Sequence, residues 1–206
     1  MEKKNMDSKV MFQLTYGLFV LTAKEGTKDN GCIINTVSQV TDHPNRISVT
    51  INKQCYTHDM IMKTNKFNVS ILSEEAGFDL FQRFGFQSGK DTDKFEGLKG
   101  CQRAKNGILY LTRAVNAYIS GSVVDKIDLG SHTLLIADVT EGEILSSAPS
   151  VTYTYYHKYI KPKPKETKKK GWICVICGYI YEGEELPPDY ICPICKHGAE
   201  DFVKIE

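Results

Sequence analysis

Four cysteines near the C-terminus are the residues whose types and spacing are best suited to chemistry. They form two Cys-x-x-Cys pairs, Cys174 with Cys177 and Cys192 with Cys195. Two such pairs can place four thiolates at the corners of a tetrahedron, an arrangement that iron and zinc both accept. Four buried cysteines without a metal are uncommon at this spacing. The sequence therefore predicts a metal centre with these four residues as its ligands.

The residues around the two pairs favour iron, although the spacing alone also fits a zinc ribbon. The segment resembles a rubredoxin in its Cys-Gly-Tyr after the first pair and its Cys-Pro-x-Cys at the second. Aromatic residues surround both pairs: Trp172, Tyr179, Tyr181 and Phe202. Gly178 can adopt a positive φ, which turns backbone N–H groups toward sulfur and tunes an iron–thiolate potential. Fourteen residues separate Cys177 from Cys192, as in the compact rubredoxins fused to other redox proteins.

The run K-P-K-P-K-E-T-K-K-K at 161–170 divides the chain. Six lysines, two prolines and no apolar residue cannot form a core, so the run predicts a stiff, solvated linker. We expect a larger domain over 1–160, the linker over 161–170 and the metal module over 171–206. A module this small depends on its metal for stability. The linker would let the module reach more than one docking site.

Composition and charge narrow the classes of function. A hydrophobic content of 41% and a charged content of 25% are ordinary for a soluble globular protein, and a net charge of +1 argues against a nucleic-acid binder. The first residues lack the apolar segment of a secretory signal, and no apolar run is long enough to span a bilayer. Cys32, Cys55 and Cys101 lie outside the metal set, and unpaired thiols fit a reducing compartment. We therefore expect a cytoplasmic protein that binds neither nucleic acid nor a membrane.

Hydrophobic patterning in 1–160 predicts a mainly β domain with short helices. Predicted strands cover 17–23, 32–40, 46–53, 67–72, 107–113, 116–125 and 132–141, and predicted helices cover 57–63 and 74–84. Thr57 is the expected N-cap of the first helix, 25–31 is an expected turn, and 85–100 is an expected long loop. Strands that do not alternate regularly with helices favour a mostly antiparallel barrel.

This first domain resembles the flavin reductase-like, FMN-binding split barrels. The matching pieces, in chain order, are Y-G-L-F-V-L-T, N-G-C-I-I-N-T-V-S-Q-V-T, P-N-R-I-S-V-T-I-N-K, Y-T-H-D-M, F-N-V-S-I-L, S-G-K-D-T-D-K-F, H-T-L-L-I-A-D-V and Y-T-Y-Y-H. The resemblance covers nearly the whole domain and implies a Greek-key split β-barrel. Such a barrel followed by a rubredoxin-like iron module resembles the high-molecular-weight rubredoxins of anaerobic bacteria.

The resemblance, together with polar groups at the ends of elements, selects the candidate flavin residues. Small groups at a strand end would meet the flavin ring: Asn35, Thr36, Val37 and Ser38. A cation beside a helix start would bind the phosphate: Asn52, Lys53 and Thr57. Donors of the long loop would contact phosphate, ribityl or nicotinamide: Ser88, Gly89, Lys90, Asp93 and Lys94. His132 matches a histidine near the flavin in many relatives and is the candidate catalytic residue.

Each candidate also has a purely structural interpretation. The first group can be a polar strand end near a turn, and the second a capped surface helix with a solvated lysine. The loop can be an ordinary surface loop. A single histidine such as His132 is more often structural than catalytic.

The resemblance implies an electron-transfer function. FMN would accept hydride from NADH or NADPH and pass single electrons to one iron on four cysteines, which would reduce a flavodiiron protein acting on NO or O2. No G-x-G-x-x-G occurs, so the nicotinamide would bind against the flavin rather than on a Rossmann unit. The family also implies a homodimer. Two alternatives stay open: a flavin reductase that releases reduced flavin to another enzyme, and a C-terminal zinc ribbon that only docks partners.

Overall fold

The computed structural model describes residues 8–162, 171–175, 179–193 and 197–205, and its largest element is a seven-stranded antiparallel sheet. Its strands are β1 Phe19–Glu25, β2 Lys28–Ile34, β3 Val37–Asp42, β4 Asn45–Asn52, β5 Lys66–Leu72, β8 Val115–Asp128 and β9 His132–Ile144. Two short strands, β6 Cys101–Arg103 and β7 Leu109–Leu111, pair as a separate hairpin. The spatial order is β2-β1-β5-β8-β9-β4-β3.

The sheet curls into a split barrel because its two edge strands are consecutive in the chain. Only Asn35 and Thr36 join β2 to β3, so the opposite edges of the sheet must approach each other there. Thr36 ties this link to β4: its carbonyl accepts a 3.1 Å hydrogen bond from the Thr50 N–H, and its hydroxyl donates to the Thr50 carbonyl over 2.7 Å. The mainly β, split-barrel prediction is therefore confirmed.

The core of the barrel follows the alternation of the strands. In β4, Ile47, Val49 and Ile51 point inward while the residues between them are half-buried or exposed. Leu21 of β1 and Leu135 of β9 are fully buried in the same cluster. This alternation was readable from the sequence because one face of each strand packs inside and the other meets solvent.

Two helices close the barrel. Helix α1 Tyr56–Thr64 buries Met60 and Ile61 and ends at Asn65, whose left-handed conformation (φ 55°) stops it. Helix α2 Phe78–Gly85 buries Phe81 and Phe84 in a second cluster. Further helical turns are Ser8–Gln13, Tyr153–Tyr155 and Tyr156–Ile160. In the part of the chain that the structure describes, no helix has the length and apolar character needed to cross a lipid bilayer.

The C-terminal module contains a three-stranded antiparallel sheet in the order β11-β10-β12. Its strands are β10 Gly171–Cys174, β11 Ile180–Tyr181 and β12 Phe202–Ile205, with a helical turn at Ala199–Asp201. The predicted linker falls mostly on 163–170, which lie outside the described residues. The domain boundaries therefore stay a prediction.

Several predicted elements differ from the structure. The predicted turn at 25–31 is mostly strand, because β1 and β2 form a hairpin with Glu25 opposite Lys28 and Gly26 at φ +59°. The predicted strand 32–40 is two strands, broken at Asn35 and Thr36. The N-cap of α1 is Cys55 rather than Thr57, and α2 starts four residues after the predicted start at 74. The hairpin partner β6 was not predicted.

Candidate functional site

A pocket of about 370 Å³ opens where β2, the start of α1 and the loop after α2 meet. This volume lies within the range of small-ligand sites. Four predicted flavin residues line it together: Asn52, Ser88, Gly89 and Lys94. Residues that the sequence analysis did not select also line it, among them Asn30, Cys32, Cys55 and Tyr56. Asn30 was missed because it falls in the segment predicted as a turn.

Asn30 is the buried polar group at the base of this pocket. Its side-chain nitrogen donates to the Thr57 hydroxyl over 3.0 Å, and the residue is 1% exposed. Among the described residues, no donor contacts its side-chain oxygen Oδ1. A buried carbonyl without a partner costs about 1–3 kcal/mol, so a ligand that donates a hydrogen bond here would be stabilised. The N–H and hydroxyl groups of a flavin are donors of this kind, and the pocket fits one in this respect.

Gly89 brings the loop backbone directly against Asn30. A Cβ at position 89 would lie 2.0 Å from Asn30 Oδ1, so glycine is required for this approach. Ser88 stabilises the turn by accepting a 3.2 Å hydrogen bond from the Lys90 N–H. The predicted loop residues Ser88 and Gly89 therefore shape one wall of the pocket.

Lys94 anchors that loop to the barrel. Its ammonium is buried and donates to the carbonyls of Gly31, over 2.9 Å, and Phe84, over 3.1 Å. Burial lowers the pKa of Lys94. An ammonium has three N–H donors, so these two bonds leave one to face the pocket. Lys94 thus holds the loop in place and also lines the pocket, and its contact with a flavin stays a prediction.

The predicted phosphate residues are divided between the pocket and its surroundings. Asn52 lines the pocket, and its side chain accepts a 2.8 Å hydrogen bond from the Gln54 N–H just before α1. Thr57 is fully buried behind Asn30. Lys53 extends to the β8–β9 turn, where Nζ lies 2.6 Å from Asp128 Oδ1 and lowers the pKa of that carboxyl. Lys53 is not among the lining residues, so its role at a phosphate remains a prediction.

The predicted ring-contacting residues do not share this pocket. Asn35 and Thr36 form the β2–β3 link, and the Thr36 hydroxyl is engaged with Thr50. Val37 and Ser38 line a different, mostly apolar groove of about 570 Å³, with Ile47, Ile119 and Ile144. The structure thus separates Val37 and Ser38 from Asn52, Ser88 and Gly89.

The remaining predicted residues lie on the outer side of the loop and on β9. Lys90 and Asp93 line a third pocket of about 410 Å³ with Lys28, and Lys90 Nζ lies 3.8 Å from Asp59 Oδ2. His132 is the first residue of β9 and pairs with Asn52 of β4, while its Nδ1 lies 2.8 Å from Ser131 Oγ. His132 is therefore close in the sheet to one residue of the candidate pocket.

The structure describes two of the four predicted metal ligands, Cys174 and Cys192. Cys174 and Cys192 are both 0% exposed in one cluster with Phe202. The partly buried members of that cluster are Trp172, Tyr179, Tyr181, Leu186 and Tyr190, so the predicted aromatic shell is present and Tyr190 was missed. Cys177, Gly178 and Cys195 lie outside the described residues.

The loops that carry the two cysteine pairs are closed in the same way. The Cys174 N–H donates to the Tyr179 carbonyl, and the Cys192 N–H donates to the His197 carbonyl, both over 2.8 Å. Each bond joins a cysteine to the residue five positions later in the sequence. Two equivalent loops with buried thiols fit a four-cysteine iron site. His197 also lines the candidate flavin pocket.

Comparisons with known families match both the barrel domain and the C-terminal module. The model of the flavin reductase like domain matches residues 11–162, and that of the rubrerythrin, rubredoxin-like domain matches residues 172–203. The chain therefore belongs to the flavin reductase-like family and carries a rubredoxin-like domain after it. Flavin-based electron transfer is its function, and flavin and iron are the cofactors that the two domains use.

Individual relatives make the resemblance more specific. The chain is 35% identical to the high molecular weight rubredoxin of Moorella thermoacetica over 97% of this chain and 100% of the relative. It is 33% identical to the ferric-chelate reductase (NAD(P)H) of Archaeoglobus fulgidus over 79% of this chain and 95% of that protein. The fold is similar to that of nitrilotriacetate monooxygenase component B from Mycobacterium thermoresistibile, with a TM-score of 0.63 at 20% identity over 70% of this chain and 78% of that one. The predicted resemblance to high molecular weight rubredoxins is confirmed.

Proposed function

We propose that the chain carries electrons from NADH or NADPH through FMN to one iron held by Cys174, Cys177, Cys192 and Cys195, and then to a partner protein. The observation that supports this most is the presence of two features in one chain. One is a pocket lined by predicted flavin residues, and the other is an aromatic cluster that buries Cys174 and Cys192. The partner that the resemblance suggests is a flavodiiron protein.

When bound, FMN would supply the conversion of a two-electron donor into single electrons, and the iron would accept them one at a time. The chain's own residues would bind the flavin and orient it in the pocket. Asn30 offers an acceptor at the base of the pocket, and the Gly89 backbone brings the loop wall against it. Lys94 holds that wall to β2 and α2.

The residues of the metal module would exclude water from the iron. Both described thiols are fully buried, and Tyr190 packs edge-on against Phe202 with ring centroids 5.4 Å apart. A dry, aromatic environment and fixed backbone donors set the potential of an iron–thiolate site.

The exposed acidic residues of the module suggest how it meets the partner. Glu184, Glu185 and Asp189 are exposed on the segment between the two cysteine pairs. Clustered charge of one sign speeds association with an oppositely charged surface. We therefore propose that the flavodiiron partner presents a basic surface to this segment.

A homodimer is the assembly that the exposed apolar surface of the barrel supports. Ile144 is 82% exposed beside the groove lined by Val37 and Ser38, and Val40 is 47% exposed on β3. Exposed apolar residues around a groove are typical of protein interfaces. Light scattering on the purified chain would measure its oligomeric state, and a strictly monomeric protein would contradict the proposed homodimer.

The main alternatives are distinguished by colour and cofactor content. Anaerobically purified protein should show flavin and iron–thiolate absorption, with equal amounts of FMN and iron per chain. A flavin reductase that releases its flavin would purify nearly flavin-free. A C-terminal zinc ribbon would give a colourless module and zinc alone, even after growth in iron-rich medium, and that result would overturn the proposed route.

A further inference from the structure

Two of the three cysteines outside the metal set lie side by side at the candidate flavin pocket. Cys32 is buried on β2, and Cys55 is half-buried at the start of α1. Both side chains line the pocket, and Cys55 packs against the core cluster that contains Cys32. The two residues are far apart in the sequence, so only the packing of α1 against the β1–β2 hairpin brings them together.

The groups around the pair shift the pKa values of its two thiols in opposite directions. Hydrogen bonds from Cys32 and from the hydroxyl and N–H of Thr57 lower the pKa of Cys55 to about 6, with a smaller contribution from the Lys94 charge. The hydrogen bond to Cys55 and burial raise the pKa of Cys32. Cys55 is therefore the thiol of the pair that ionises more readily, and Cys32 is the one that retains its proton. A reactive thiolate beside a protonated thiol is the usual arrangement of a nucleophilic and a resolving cysteine.

Cys55 is also the more accessible of the two. It lines a pocket that opens to solvent, whereas Cys32 is 7% exposed. When the pocket holds no flavin, a small polar oxidant can reach Cys55 through it, and Cys32 lines the same pocket beside the intermediate formed there.

We propose that Cys55 is an oxidation site for hydroperoxides and that Cys32 resolves it as an intramolecular disulfide. In the first step the Cys55 thiolate attacks the OH oxygen of the hydroperoxide, the O–O bond breaks, and Cys55 becomes a sulfenic acid while the other oxygen leaves and takes a proton from solvent to form water or an alcohol. In the second step the Cys32 sulfur attacks the Cys55 sulfur, and the Cys55 hydroxyl leaves with the Cys32 proton as water. Two thiols are oxidised by two electrons and one hydroperoxide is reduced.

Cys101 is a matched control within the chain. It is a partly buried thiol whose Sγ lies 3.7 Å from the Leu98 carbonyl, and burial raises its pKa. A thiol of high pKa is mostly protonated at neutral pH and reacts slowly with a hydroperoxide. The larger thiolate fraction of Cys55 outweighs its lower intrinsic nucleophilicity, and it should react roughly fivefold or more faster than Cys101.

The experiment treats the full chain, with its iron in place and its flavin removed, with limiting hydrogen peroxide and maps the thiols by mass spectrometry after alkylation and trypsin digestion. Cys32 lies in the tryptic peptide 29–46 and Cys55 in the peptide 54–63, so a disulfide between them appears as one cross-linked species. Residue-specific mapping also separates this reaction from any oxidation of the iron ligands. The expected product is the cross-linked species, reversed by dithiothreitol, with Cys101 still alkylated.

Variants test the order of the two steps. Cys32→Ser should stop the reaction at a Cys55 sulfenic acid that dimedone traps, Cys55→Ser should leave Cys32 reduced, and Cys101→Ser should behave like the unmodified chain. The proposal is overturned if the unmodified chain forms no cross-linked species while other cysteines are oxidised. It is equally overturned if Cys55 and Cys101 are oxidised at the same rate.

Discussion

Gly89 is the single residue at which the candidate flavin pocket should be most sensitive to a small change. We expect Gly89→Ala to weaken FMN binding roughly tenfold or more, because a methyl 2.0 Å from Asn30 Oδ1 forces the loop or the amide to move, and such overpacking costs about 1–3 kcal/mol. Fluorescence titration of flavin-stripped protein measures the change.

Gly85 provides the control for this substitution, since it lines the same pocket. A Cβ at position 85 would lie 3.5 Å from Ile33, which is ordinary contact. Gly85→Ala should therefore keep the affinity for FMN. If the two variants bind FMN equally well, the pocket is not the flavin site.

Cys55 should titrate as an acidic thiol. Because the thiolate is the reacting species, the rate of Cys55 alkylation by iodoacetamide should rise with pH through a midpoint of about 6. Cys101, whose pKa burial raises, should gain reactivity only in basic solution. Peptide mapping after timed alkylation gives both profiles, and coincident profiles would show that the Thr57 and Cys32 contacts do not stabilise the thiolate.

At the scale of elements, the buried cation Lys94 is one anchor of the loop after α2. Lys94→Met removes the donors that hold the carbonyls of Gly31 and Phe84, and we expect the free energy of unfolding to fall by roughly 2–3 kcal/mol. Lys90→Met on the same exposed loop should change it by less than about 0.5 kcal/mol. Urea denaturation followed by circular dichroism compares the two, and similar midpoints would contradict the anchoring role of Lys94.

The metal module has its own reporter, because Trp172 is the only tryptophan in the sequence. Its indole N–H donates to the Glu184 carbonyl over 3.3 Å, and its ring packs against the buried cysteine cluster. Removing the metal should shift Trp172 emission to the red while the circular dichroism of the barrel persists, since a sheet this small depends on its metal. An emission spectrum that is unchanged after complete metal removal would contradict this dependence.

The elements show which parts of the fold a sequence can predict. Apolar and polar residues alternate along β4 and β9, and this pattern predicts both strands nearly in full. The hairpin of β1 and β2 was not, because Lys28, Asp29 and Asn30 are typical of turns and become strand only by pairing with β1. Gly31 within β2 is equally uninformative in sequence. In the structure, a Cβ there would lie 3.1 Å from Phe84 of α2.

In the candidate pocket, too, the sequence predicts the residues with local signals and misses those that tertiary packing brings together. Asn52, Ser88 and Gly89 were predicted from helix-start and loop chemistry, which are local signals. Asn30 and the Cys32–Cys55 contact depend on the packing of α1 against β2, and no local pattern indicates them. For the metal centre the cysteine spacing and the residues around it are local signals, and the four ligands that they predict stay a prediction.

At the scale of the whole molecule, the two domains should act in series. A hydride donor cannot deliver its two electrons directly to a one-electron iron site, so bleaching of the iron by NADH should require bound FMN. Stopped-flow mixing of NADH with the full chain, loaded with FMN or stripped of it, tests this order. Equal rates of iron bleaching in the two samples would refute the flavin relay.

Transfer from the iron to the partner should depend on ionic strength. Glu184, Glu185 and Asp189 are exposed on the module, so added salt should screen their attraction to a basic surface and slow association. The triple variant Glu184→Gln, Glu185→Gln, Asp189→Asn should lower the association rate at low salt by roughly tenfold and flatten its salt dependence. Reduction of the iron by NADH should be unchanged in the same variant, because none of these residues lines the candidate flavin pocket. A partner reaction that ignores both salt and the triple substitution would remove the electrostatic steering and leave the flavin-to-iron route intact.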